Sequence, residues 1–173
     1  LEPAEGQYAF DLIDRTIQQA KAKGERLAFR VMSEYRSGSP AWLLAKGVPA
    51  IAVGGGRFPD YNNPIFLDYH EKLIKALGGR YGQSPDIDHV DIGSIGCWGE
   101  WNMACCQGVE RQCQQYFPTE DVQITITDWY FKYFPQVPLV MLHNGQLLYA
   151  ARRGAGWRGD CFGDYGYFGP NWN

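Results

Sequence analysis

Short apolar strands alternate with amphipathic helices along most of this chain, and that alternation restricts its fold more than any other feature. Phe10 to Lys23 puts Phe10, Ile13, Ile17 and Ala20 on one helical stripe. Gly24 then stands where a left-handed residue closes a helix. Arg26 to Met32 reads as a short strand. Ser33 to Asn63, which contains Pro40, Pro49, Pro59 and Gly54-Gly55-Gly56, reads as a long irregular stretch. Asn63-Pro64 has the pattern of an N-cap followed by proline in the first turn. The helix it opens is expected to run to about Leu77 and to stop at Gly78-Gly79. His89 to Ser94 is the next strand. Thr119 is expected to cap a helix from Glu120 to Phe134, which Pro135 and Pro138 end. A strand Leu139 to His143, a short helix Gln146 to Arg153 and a last strand Trp157 to Phe162 follow.

Strands of this kind, apolar on both faces and separated by helices, belong in a parallel sheet with right-handed crossovers. No G-x-G-x-x-G or P-loop follows any of them. Gly54-Gly55-Gly56 has no helix behind it and reads as a loop rather than a phosphate cradle. The long loops at Ser33 and Cys97 both leave strand C-terminal ends, as in a (β/α)8 barrel, where such loops build the active face.

The 173 residues are the size of one domain. Net charge is −3 without a block of like charges, which argues against nucleic acid as a partner. No apolar run approaches the ~20 residues that span a bilayer. Aromatics reach 15%, with 6 Trp and 11 Tyr, more than a core of this size needs, so some rings are expected to line a cleft. Five cysteines occur: Cys97, Cys105, Cys106, Cys113 and Cys161. Their spacing lacks the paired C-x-x-C of structural zinc sites. Disulfides, and with them an extracellular or periplasmic setting, are favoured over a zinc site.

The segment His89 to Asn102 carries the most chemistry. Its strand delivers one carboxylate, Glu100, between Trp98 and Trp101. Indole faces stack on sugar rings, and apolar walls raise a carboxyl toward the working pH of a proton donor. The plain structural alternative is a strand end with an ion-paired glutamate and two packing indoles. Arg30 and Glu34 at the first strand's end, Tyr35 and Trp42 on the loop beyond it, Asn102, His143, and Asp160 are further candidates for holding sugar hydroxyls or stacking on a ring. Each also has a structural alternative, such as an Arg30–Glu34 pair. Arg158-Gly159-Asp160 is an adhesion tripeptide that is common by chance.

In order along the chain, Leu1-Glu2-Pro3-Ala4-Glu5-Gly6-Gln7-Tyr8, Ser39-Pro40-Ala41-Trp42-Leu43, the helix from Asn63-Pro64 to Arg80-Tyr81-Gly82, and Gly96-Cys97-Trp98-Gly99-Glu100-Trp101 resemble segments of the (β/α)8-barrel glycoside hydrolases related to family-42 β-galactosidases. The last piece is most similar to an extracellular branch with a G-x-W-G-E-W signature. The resemblance covers residues 1 to about 102. It implies a chain that is the central part of a single (β/α)8 barrel, residues 1–173, holding strands three to six and the end of strand two. The remaining strands would come from sequence outside this chain or from another chain. It also implies an oligo- or polysaccharide substrate, no cofactor, and Glu100 as general acid/base. Asn usually precedes that Glu in the clan, where Gly99 stands here, and the clan's nucleophile on strand seven falls outside this chain. A non-catalytic glycan-binding or structural subunit of an extracellular assembly, which could be homo-oligomeric, is the second reading.

Overall fold

A computed structural model describes residues 1–33, 39–53, 56–106 and 108–159. Expectations that rest on Glu34, Tyr35, Asp160 and Cys161 lie outside these residues, as do Gly54 and Gly55. Four strands, β1 (Leu27–Met32), β4 (Ile87–Ser94), β5 (Leu139–Leu142) and β6 (Gly156–Arg158), form one sheet in the order β1-β4-β5-β6, and every pair is parallel. Helices α1 (Asp11–Lys21), α3 (Pro64–Tyr81), α5 (Glu120–Tyr133) and α6 (Leu147–Arg152) alternate with them, and a short helix, α4 (Glu110–Gln114), lies in the loop between β4 and α5. The outward residues Val31, Val90, Ile92 and Met141 are buried with Ile74, Leu77, Ile126 and Tyr130 of the helices. Burial on that face leaves the other face of the sheet for polar groups. No described helix is long and apolar enough to cross a membrane.

The described residues between Ser33 and Asn63 are more ordered than their composition suggests. They hold a short helix, α2 (Ala41–Ala45), and an antiparallel hairpin of β2 (Ala50–Val53) with β3 (Gly56–Pro59). Four-residue strands carry too few periods to stand out among prolines and glycines.

Helix α3 starts as expected. The Asn63 side chain accepts hydrogen bonds from the Ile65 and Phe66 amides at 2.9 and 3.3 Å, with Pro64 in the first turn. It does not stop at Gly78-Gly79 but continues to Tyr81. Gly78 is a contact residue. A Cβ there would lie 2.4 Å from the Tyr133 carbonyl oxygen and 2.5 Å from the Tyr133 Cβ. The glycine lets α3 and α5 approach backbone to backbone. Helix α5 begins after Thr119, yet the Thr119 side chain makes no capping hydrogen bond. Tertiary packing of Ile126, Trp129 and Tyr130 holds this helix instead.

His70 of α3 is buried, stacked on Phe66 at 5.2 Å and tilted against Trp129 at 6.1 Å. Its Nε2 has no hydrogen-bond partner among the described residues. Desolvation pushes its pKa down to about 4. The unfolded chain, with histidine near 6.5, therefore takes up a proton that the native state refuses between pH 6.5 and about 4. Stability must fall as the pH drops through that window, by about 2–3 kcal/mol between pH 7 and 4.5. Urea unfolding of wild type and His70→Phe at the two pH values checks this. The variant should lack that part of the acid loss, and identical pH dependence in both proteins would refute it.

Candidate active site

Beyond the C-terminal end of β4 the chain turns sharply. Ser94, Trp98 and Trp101 have φ of 90, 57 and 57°, and they are the non-glycine residues of positive φ among the described residues. Left-handed conformations at such side chains are uncommon and gather at functional loops. A 3₁₀ turn, Cys97–Gly99, leads into Glu100. Two disulfides, Cys97–Cys105 and Cys106–Cys113, tie this loop down, and the first closes directly around Glu100. These four sulfurs are paired with one another.

Gly99 stands where the resemblance leads one to expect asparagine, and the backbone accounts for a glycine there. Its φ is +68°, and a Cβ would lie 2.9 Å from the Val31 carbonyl oxygen of β1. An asparagine there would be strained and crowded.

The Glu100 carboxylate sits over the polar face of the sheet. Its Oε1 accepts from Arg30 Nη1 at 2.9 Å and from Arg158 Nη2 at 3.4 Å. Both guanidiniums also reach Asp91 Oδ2, Arg158 through Nε at 2.7 Å and Arg30 through Nη1 at 3.4 Å. Arg30 and Asp91 are register partners across β1 and β4. Burial raises the Asp91 pKa, against the opposing pull of Arg158 and Arg30. The hydrogen bonds of the Glu100 carboxylate among the described residues all fall on Oε1. The Glu100 carbonyl oxygen accepts from Asn102 Nδ2 and Asn144 Nδ2, each at 3.4 Å.

Of the residues expected from sequence, Glu100, Arg30 and Asn102 come together here, and Trp98 stands two residues away, 36% exposed. Trp101 requires correction as a stacking residue. It is 3% exposed, its indole N–H donates to the Ile92 carbonyl at 2.7 Å, and its ring packs where a Gly145 Cβ would be. A ring covered on its faces cannot receive a sugar. Trp42 belongs to a different hollow of about 120 Å3, with Met32, Phe66, Tyr69 and His70 among its walls. Its N–H donates to the Glu2 carbonyl at 3.0 Å. His143 is exposed just past β5. Asp91 and Arg158 were not legible as site residues. The signal for Asp91 was an acid in an otherwise apolar strand. Arg158 gave none, because its partners are remote in sequence.

The family model Glyco_hydro_42, described as β-galactosidase, matches residues 1–120. β-Galactosidase BglY of Alicyclobacillus acidocaldarius subsp. acidocaldarius is 30% identical over 121 residues, covering 65% of this chain and 17% of that enzyme. A β-galactosidase of Arthrobacter sp. is 28% identical over 108 residues, covering 56% of this chain and 15% of that protein. The chain thus spans less than a fifth of the length of either relative. Among solved structures, endo-glycoceramidase II from Rhodococcus sp. in a cellobiose-like isofagomine complex aligns with a TM-score of 0.52 at 13% identity, covering 83% of this chain and 39% of that one. A psychrophilic glycoside hydrolase family 10 endo-β-1,4-xylanase aligns with a TM-score of 0.51 at 15% identity, covering 82% and 40%. These likenesses carry the fold: an α/β chain of (β/α)8-barrel type that is incomplete here, with β1, β4, β5 and β6 as barrel strands three to six. With its first 120 residues matched by the family model, the chain belongs to the glycoside hydrolase family 42 β-galactosidases.

Proposed function

We propose that this chain carries the acid/base half of a glycosidase centre, with Glu100 as the proton donor to the glycosidic oxygen. The observation that carries the reading is the setting of Glu100. It follows the C-terminal end of β4, and among the described residues both arginines hold the same carboxylate oxygen, Oε1. Trp98 beside it offers an exposed indole for a sugar ring. Asn102 and Asn144, which reach the Glu100 carbonyl, and the exposed His143 next in sequence to Asn144 are candidates for hydroxyl contacts.

The second carboxylate comes from sequence outside this chain or from another chain. Asp91 does not fill that role, because it is buried beneath the two guanidiniums it shares with Glu100. Trp157 of β6, 65% exposed on the helix-bearing side of the sheet edge, supports further elements packing there. A retaining reaction needs the second carboxylate ~5–5.5 Å from Glu100, an inverting one ~6.5–9.5 Å. The two disulfides support a secreted protein, extracellular or periplasmic.

The test is hydrolysis of p-nitrophenyl β-galactoside and related aryl glycosides by the full-length protein. Turnover that Glu100→Gln loses supports the reading, and no turnover across the panel overturns it. The same ion pairs favour the second reading, a non-catalytic glycan-binding module, since a doubly paired carboxylate is also how a structural network looks. Glycan binding by an inactive wild type would establish that alternative.

A further inference from the structure

The residue after Glu100 is anchored twice. Strand β4 pairs with β1 as far as Ser94, but its pairing with β5 ends at Asp91 and Val140. The Val90 amide donates across to the Pro138 carbonyl at 2.9 Å, and Ile92, two residues on, turns its own carbonyl to that same side. There it accepts from the indole N–H of Trp101, at 2.7 Å, in place of a strand. The Trp101 main-chain amide donates to the Ile95 carbonyl at 2.9 Å. The ring thus enters as a wedge where β4 and β5 part. Gly145, between β5 and α6, lies against it. A Cβ at that position would come 2.7 Å from Trp101 Cγ and Cδ2 and 2.9 Å from Met141 Cε, so glycine leaves the ring its place. Trp101 holds a φ of 57° and is 3% exposed. So large a side chain keeps that uncommon backbone state because the packing around it over-determines it. Glu100 precedes this fixed residue directly, and its own amide donates to the Cys97 carbonyl at 3.0 Å.

We propose that Trp101 is a positioning residue: its indole, wedged between the ends of β4 and β5, sets the backbone from which the Glu100 carboxyl is aimed at the glycosidic oxygen. The inference rests on the reading of Glu100 as acid/base. Trp101→Phe keeps an apolar ring and removes the N–H that Ile92 holds. Gly145→Ala keeps the indole and displaces it. In the full-length protein, kcat/KM is measured on the methyl and 2,4-dinitrophenyl glycosides of the sugar that the wild type turns over. A misaimed acid is felt where the leaving group needs a proton. Each variant should lose about 10–100-fold on the methyl glycoside, the cost of misplacing a reacting group by roughly 1 Å. The loss should be far smaller on the dinitrophenyl glycoside, which departs without protonation. A merely structural defect lowers both rates equally.

A second readout needs neither variant. In the 15N-labelled wild type, the Trp101 indole N–H is assigned by its Overhauser contacts to β4. Buried and bonded to the Ile92 carbonyl, it should exchange with solvent slowly. Equal losses on the two glycosides in a folded variant, or no loss on either, overturn the proposal. An indole N–H that exchanges at once overturns it even if neither variant folds. A slowly exchanging indole N–H in a protein that cleaves no glycoside keeps the anchoring of Glu100 and overturns the hydrolase reading alone.

Discussion

Glu100→Gln is expected to lower kcat/KM on p-nitrophenyl glycosides by about 10²–10⁴-fold, the usual worth of a positioned general acid or base. Glutamine has nearly the shape of glutamate and keeps a carbonyl oxygen for Arg30 and Arg158, so the surrounding cluster should hold. The proton is what it lacks. The loss should therefore depend on the leaving group. An activated aryl group such as 2,4-dinitrophenol departs without protonation, so the variant should cleave its glycosides with a much smaller deficit than it shows on alkyl glycosides. Substrate affinity should change little, because the lost interaction belongs to the transition state. Thermal melts of both proteins exclude a folding defect. Wild-type rates on an alkyl glycoside would remove Glu100 from the chemistry.

Gly78→Ala should destabilise the protein by about 3 kcal/mol, at the upper end of what overpacking costs. The clash is with backbone, the Tyr133 carbonyl at 2.4 Å, as well as with the Tyr133 Cβ at 2.5 Å, so no side-chain rotation relieves it. Helices α3 and α5 must part, and Gly82, against the same carbonyl, separates with them. The neighbouring glycine is the control. Gly79 lies on the same helix, and a Cβ there would meet nothing within 4 Å. At that position alanine should stabilise by about 0.5–1 kcal/mol through helix propensity. Urea unfolding of the two variants should give opposite signs. Equal effects would mean that the α3–α5 contact is not tight.

The contrast between these two glycines explains what could be read before folding was known. As a pair they resemble a helix stop, because local chemistry treats both as breakers. Only the presence of α5 makes one of them a contact and the other a bystander. Trp98 and Trp101 differ in the same way. In the sequence they flank Glu100 on either side, yet the turn sends one ring toward solvent and the other under the loop against Ile92 and Gly145. The Asn63 cap, by contrast, was legible because its partners lie two and three residues away.

By itself the sequence determined the alternation of helix and strand, the parallel sheet, the cap of α3, the crowding of four cysteines into one loop and the carboxylate at the end of β4. Each rests on hydrogen bonds or apolar periodicity among near neighbours in the chain, or on motifs of consecutive residues. The tertiary structure alone decided that α3 runs through its glycines, that Trp101 is core, and that Asp91 and Arg158 join Arg30 around Glu100. Those outcomes depend on which distant strands and helices come within a few ångströms of each other, and Coulomb and packing forces act on that proximity rather than on chain order.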